Sequence, residues 1–187
     1  MSFVPRLTSP VGTPRTTNWG LLGSPRRIII HHTTDNTVPP TSSGIAYHFV
    51  VALNGTVHFG VNTTHRSGAT SHNMDGSIMI AAAGNWHNPS SSMSSAQSNA
   101  LTRIIADCLI SFPSILRANR FDLPQQHISA IGNSRPAGFP RHSNQGIKGH
   151  DDGLSEATLC PGNHLYALCR DRLVPQAIAL ANNPPMQ

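Results

Sequence analysis

Asn54-Gly55 stands between two β-rich runs, Ala46-Tyr47-His48-Phe49-Val50-Val51-Ala52-Leu53 and Thr56-Val57-His58-Phe59-Gly60-Val61. Asn and Gly accept the positive φ that tight turns demand, so this dipeptide between strand formers predicts an antiparallel hairpin. A chain committed to a hairpin must supply further strands or helices to cover it. Arg26 to His32 offers one strand, a short β-branched run bounded by Pro25 and by Thr33-Thr34-Asp35-Asn36. Ser77 to Ala83 reads as a central strand stopped by Gly84-Asn85, and its alanines let a neighbouring helix approach closely. Side-chain alternation puts Ile28, Ile30 and His32 on one face and Ile29 and His31 on the other. By that geometry only one of the two histidines enters a given site.

The covering layer is helical. Ser94-Ser95-Ala96-Gln97 fits a capping box, with Gln97 three residues after the capping Ser94. Leu101, Ile104, Ile105, Cys108, Leu109 and Phe112 follow at helical spacing and predict an amphipathic helix ending near Pro113. Pro161 suits a first helical position, and Leu165, Leu168, Cys169 and Leu173 predict a second amphipathic helix. Residues 1–25, with Pro5, Pro10, Pro14 and Pro25, read as an irregular arm lying over the domain. A short strand is expected at His127 to Ile131 and a long loop from Gly132 to Gly149, and residues 176–187 read as a tail. Strands and helices interleave without repeats, which predicts a single mixed α/β domain over residues 26–175.

The 187 residues are enough for one core without staples. Charged residues make up only 11%, so long polar loops are expected rather than a disordered, charge-rich chain. The net charge of +5, with eleven histidines to add more in mild acid, favours an anionic partner such as nucleic acid, membrane or an acidic wall polymer. No basic cluster is longer than Arg26-Arg27 and no aromatic platform accompanies it, which argues against nucleic acid. No stretch approaches a membrane span, and Met1 to Arg6 lacks the apolar core of a signal peptide.

Cysteine usage narrows the chemistry. Cys108, Cys160 and Cys169 make neither a disulfide framework nor a Cys-x-x-Cys pair. Between Gly149 and Gly162, however, His150 and Cys160 flank a turn-rich loop, and both are first-choice zinc ligands. A third ligand must come from elsewhere, and His31-His32 at the end of the Ile run is the candidate. Three protein ligands with a fourth position open is the pattern of catalytic zinc. The plainer alternative makes His150 a surface histidine and Cys160 a small buried hydrophobe. Cys108 and Cys169 are expected to be reduced core thiols.

Several of these pieces occur together, in this order, in one family. Ile28-Ile29-Ile30-His31-His32-Thr33, Ala46-Tyr47-His48-Phe49-Val50-Val51 with Asn54-Gly55-Thr56-Val57, Ser77-Ile78-Met79-Ile80-Ala81 ending in Gly84-Asn85-Trp86, and Gly149-His150-Asp151 with Thr158-Leu159-Cys160-Pro161-Gly162 resemble the type 2 zinc-dependent N-acetylmuramoyl-L-alanine amidases. That group includes phage lytic amidases and animal peptidoglycan recognition proteins. The resemblance implies a central mixed β-sheet flanked by helices, with a zinc groove on one face. It implies zinc ligands at His31, His150 and Cys160, a catalytic tyrosine at Tyr47, and Thr158 where the family carries lysine or threonine. It puts His65 and Asn85 forward as substrate contacts, peptidoglycan as the partner, and a monomer as the working unit. The chain departs from the family at Gly68-Ala69-Thr70, which lacks a clean Gly-Ala-His, and at Met79, where glycine is frequent.

What the resemblance implies chemically is hydrolysis of the amide between N-acetylmuramic acid and L-alanine. Zinc lowers the pKa of its water to about 7 and polarises the carbonyl. Two neutral imidazoles and one thiolate leave the centre at a net charge of about +1, enough to acidify the water. Tyr47 positions that water or donates to the developing oxyanion, and the Thr158 hydroxyl is suited to the second task. Two alternatives share the groove: a peptidoglycan-binding protein without activity, and a zinc amidohydrolase acting on another amide. Cys160 favours the catalyst, because relatives that only bind tend to lack that ligand. The expected setting is a small phage-type lysin, held in the host cytoplasm until it is released onto the wall.

Overall fold

The computed structural model describes residues 7–17, 20–38, 44–69, 75–87, 91–121, 146–150 and 160–185. Strands β1 (Arg27–His32), β2 (Phe49–Val51), β3 (Val57–Phe59), β4 (Ser77–Ala82) and β5 (Gly146–Gly149) form one sheet in the order β3-β2-β4-β1-β5. Only the β2–β3 pair is antiparallel; β1 runs parallel to β4 and β5, and β2 parallel to β4. The sheet is therefore mixed, as the interleaved pattern predicts.

The hairpin closes through Leu53-Asn54-Gly55. Gly55 N–H donates to the Ala52 carbonyl and Ala52 N–H to the Thr56 carbonyl, with Gly55 at φ 85°. This is a three-residue loop with glycine in the left-handed position, rather than a two-residue turn. A side chain at Gly55 would also lie 2.7 Å from the Ala96 carbonyl, so the turn seats directly against the first helix.

Helix α1 (Ser95–Ser111) starts as expected at Ser94, whose hydroxyl oxygen accepts from Gln97 N–H. The reciprocal half of the capping box is absent. Gln97 is fully buried and donates instead to the Val51 and Ala83 carbonyls at the ends of β2 and β4, fastening the helix to the sheet. The second helix begins at Asn163, not at Pro161. Gly162, at φ 87°, forms its cap and keeps Pro161 outside. It comprises α2 (Asn163–Leu168), a π-helical turn (Cys169–Leu173) and α3 (Val174–Asn182). Helix thus continues well past residue 175, where the sequence reading places the start of a tail. Pro175 lacks an N–H and crowds the carbonyl of the preceding turn, and the wider π turn before it relieves that conflict.

Both helices pack on one face of the sheet. Ile28 and Ile30 of β1, Ile78 and Ile80 of β4, Phe49 and Val51 of β2, and Ile147 of β5 meet Leu101, Ile104, Ile105 and Leu109 of α1 and Leu165, Leu173 and Ala177 of the C-terminal helix. Fully burying such an aliphatic side chain contributes about 1.5–3 kcal/mol each. Cys108 and Cys169 lie in this layer as buried thiols with no disulfide joining them, and burial pushes the Cys108 thiol pKa up.

Strand β5 is the main departure from the sequence reading, which places residues 146–149 inside a long loop. Gly-Ile-Lys-Gly carries no periodicity to detect, yet its pairing with β1 completes the parallel edge. The N-terminal segment closes the other edge. Val11 N–H donates to the Val57 carbonyl and Phe59 N–H to the Val11 carbonyl, and Leu7 N–H and the Thr8 hydroxyl donate to the buried Asp107 carboxylate on α1. Covering an edge strand this way removes a template for aggregation. The short strand expected at His127 to Ile131 lies outside the described residues.

Candidate metal centre

The C-terminal ends of β1 and β5 bring the first two candidate ligands together. Ile30 pairs with Gly149, and His150 N–H donates to the Ile30 carbonyl, so the ladder runs on by one register to set His31 beside His150. Both side chains project from the face opposite the helices, as the alternation of β1 predicts. Their ring centroids are 4.5 Å apart. Ala81, paired with His31 on β4, is small enough to leave the imidazole room.

Cys160 enters from the turn before α2. Its Sγ lies 3.6 Å from His31 Nδ1 and accepts from the His32 backbone N–H at 3.4 Å. One ligand atom from each of His31, His150 and Cys160 lies within 4.8 Å of the others. In a tetrahedral zinc site with ordinary bond lengths, the nitrogen-to-sulfur edge is about 3.6 Å. The His31–Cys160 separation matches that edge. Imidazole nitrogen with sulfur is also the donor set that suits zinc.

Tyr47 stands next to this trio. Its ring centroid is 5.1 Å from that of His31, and its hydroxyl donates to the His32 carbonyl at 3.4 Å. Burial, and then the neighbouring Cys160, push its pKa up to about 12, which keeps the phenol protonated and able to donate. Of the expected site residues, His31, His150, Cys160 and Tyr47 therefore converge. Thr158 lies outside the described residues.

His65 and Asn85 do not line the groove over the centre. The His65 ring bonds the Thr64 hydroxyl and its carbonyl accepts from His48 Nε2. Asn85 is exposed and turns its side-chain oxygen to His87 N–H. The groove, of about 300 Å³, is instead completed by His32, Thr34, Ala69 and His87. His32, assigned by alternation to the helix side, reaches the groove because β1 ends there. Its Nδ1 accepts from Trp86 N–H, and its ring meets that of His87 edge-on at 4.6 Å. Burial first, then His87 and His150, hold the His32 pKa down at about 4, so it is a neutral wall at physiological pH. Thr34 adopts φ 68°, rare for a β-branched residue. His87 is the groove residue the sequence reading passes over. Its place shortly after the C-terminal end of a central parallel strand is the available signal, since ligands of open α/β sheets bind at that end.

With this geometry in view, the likeness to known proteins is specific. The family described as N-acetylmuramoyl-L-alanine amidase matches residues 22–163. Among solved structures the chain is similar to N-acetylmuramoyl-L-alanine amidase LysC from Clostridium intestinale, at 19% identity and TM-score 0.53, covering 81% of this chain and 91% of that one. It is similar to the endolysin of Thermus scotoductus bacteriophage Ph2119, at 17% identity and TM-score 0.53, covering 88% of each chain. It is also similar to Drosophila peptidoglycan recognition protein SD, at 18% identity and TM-score 0.59, covering 86% of this chain and 88% of that one. At such identities these likenesses speak for the fold. No curated protein matches the sequence.

Proposed function

Since the chain belongs to the N-acetylmuramoyl-L-alanine amidase family, we propose that it is a zinc-dependent hydrolase of the amide between N-acetylmuramic acid and L-alanine in peptidoglycan. The observation that carries this reading is the convergence of His31, His150 and Cys160, with Tyr47 beside them. A protein that only bound the wall would have no need of a three-donor metal set.

Zinc, when bound, supplies Lewis acidity, polarising a carbonyl and acidifying water. The remaining work falls to the chain. His31 and His150 as neutral imidazoles and Cys160 as a thiolate hold the ion, and the His32 N–H steadies the sulfur. Tyr47 donates to the oxygen that gains charge as the amide carbonyl is attacked, or positions the attacking water. Thr158, two residues before Cys160, is proposed as a second and weaker donor. His32, His87, Thr34 and Ala69 form the walls against which the glycan-peptide junction rests.

The setting proposed is that of a phage-type lysin, kept in the host cytoplasm until membrane disruption delivers it to the wall. The likeness to the Ph2119 endolysin supports that reading. Among the described residues no helix is long and apolar enough to cross a membrane. The test is incubation of the purified protein with cell walls. Released peptides with a new L-alanine amino terminus, abolished by a chelator and restored by zinc, are the expected result. A zinc-loaded protein that binds walls without releasing such peptides would overturn the enzymatic reading in favour of recognition.

A further inference from the structure

The residues behind His31 form a chain of contacts that leads away from the groove into the sheet. Met79 lies one pleat row below His31 on the same face, since Ile29 pairs with Met79 and His31 with Ala81. Its Sδ is 3.3 Å from His31 Nε2, and the side chain is fully buried. A thioether sulfur can accept a hydrogen bond and cannot donate one. At that contact His31 Nε2 therefore carries the proton. In a neutral imidazole this leaves Nδ1, the nitrogen facing Cys160, with the lone pair.

Met79 is itself held by His48. Strand β2 begins only at Phe49, so the ladder offers Met79 N–H no further carbonyl on that side. The His48 imidazole takes the carbonyl's place, with Met79 N–H donating to Nδ1 at 2.9 Å while His48 N–H donates to the Met79 carbonyl at 3.0 Å. A backbone N–H is always a donor, so His48 Nδ1 is the acceptor. Nε2 then carries the proton and donates to the His65 carbonyl at 3.0 Å. Both ring nitrogens of a fully buried, neutral His48 are used, Nδ1 on the Met79 N–H and Nε2 on the His65 carbonyl, which ties the Met79 backbone to an anchored ring.

We propose that Met79, held in place by His48, is a positioning residue for His31, selecting the tautomer that presents Nδ1 to the metal. This inference rests on the metal reading of the site. Ligating histidines usually give their second N–H to a carboxylate, a carbonyl or water, which raises ligand basicity. A thioether orients the ring but adds no charge.

Two measurements on the full chain test this. The first is the tautomer of His31 in zinc-free wild type, read by long-range nitrogen–proton NMR correlations. The Nε2-protonated form is expected, and a dominant Nδ1-protonated form would overturn the proposal. The second is Met79→Leu, which keeps the side-chain volume and removes the acceptor. Zinc affinity, measured by competition with a chelator, is expected to fall by about tenfold or more. The His31 tautomers should also mix, while the melting temperature of the zinc-free protein moves little. Unchanged affinity and tautomer in Met79→Leu would overturn the proposal. If that variant does not fold, the wild-type tautomer decides alone. A wild type with the expected tautomer that binds no zinc would contradict the metal reading while upholding the orientation of His31.

Discussion

The two faces of the sheet are built from the same strands, residue by residue in alternation, and they obey different rules. On the helix side Ile28, Ile30, Ile78, Ile80, Phe49 and Val51 are all apolar, and α1 and the C-terminal helix cover them. On the other side the alternate positions read Ile29, His31, Met79, Ala81 and Val50, joined by His48, Lys148 and His150, and all of these are buried too. The first face tolerates any side chain that is apolar and of the right volume. The second must satisfy each polar atom with a particular partner, because an unpaired buried donor or acceptor costs about 1–3 kcal/mol. Stability is thus concentrated on one side of the sheet and chemistry on the other, one residue apart.

Adjacent residues of β1 make the sharpest test of that division. His31→Ala should abolish stoichiometric zinc binding and wall hydrolysis while leaving the zinc-free protein folded. Ile30→Ala should cost about 2–5 kcal/mol of stability, read by urea unfolding, yet leave zinc affinity of the folded protein unchanged. The reverse pattern in either variant would break the comparison. Within the site face, Tyr47→Phe should retain fold and zinc and lose about a hundred- to a thousand-fold in turnover. Undiminished turnover would remove Tyr47 from the catalytic group.

The helix-side face was almost wholly legible from sequence, because period-two strands and a 3.6-period helix are signals carried by many residues at once. Strands β1 and β4, the hairpin and α1 all lie where their patterns put them. Strand β5 was not legible: its apolar content is one residue, Ile147, and its Lys148 is a charged residue that the fold buries completely. On the site face, histidine and cysteine advertise metal chemistry and the family resemblance picks His31 over His32; the expected donors His31, His150 and Cys160 do lie together. Their partners could not be named from sequence. His87 and Thr34 reach the groove through loop geometry that no short-range rule encodes, and His65 and Asn85 turn away for the same reason. Met79 departs from the family's frequent glycine without announcing that its sulfur meets His31.

Acid should discriminate the faces as well. Burial holds the His48 pKa down at about 4, against an ordinary value of 6.5. Above pH 6.5 the group is neutral in both folded and unfolded chains, and its contribution to stability is complete. Between 6.5 and about 4 only the unfolded chain takes up the proton, so zinc-free protein should lose on the order of 3 kcal/mol across that window. His32, with its pKa also near 4, acts in the same direction. Urea midpoints measured from pH 7 to pH 4 should fall more steeply for wild type than for His48→Gln, and parallel curves would contradict the assignment. The smallest expected effect is on the helix side. Gln97→Ala strips a donor from the Val51 and Ala83 carbonyls and should cost about 1–3 kcal/mol without changing zinc affinity.

The central claim is that the site face holds a metal through three named donors. Its most direct test is the zinc content of purified wild type set beside that of Cys160→Ala, both dialysed against the same trace-zinc buffer. One zinc per wild-type chain is predicted, with loss of the tightly held ion in Cys160→Ala while the fold persists. A wild type that retains no zinc, or a Cys160→Ala variant that keeps it stoichiometrically, would contradict the account.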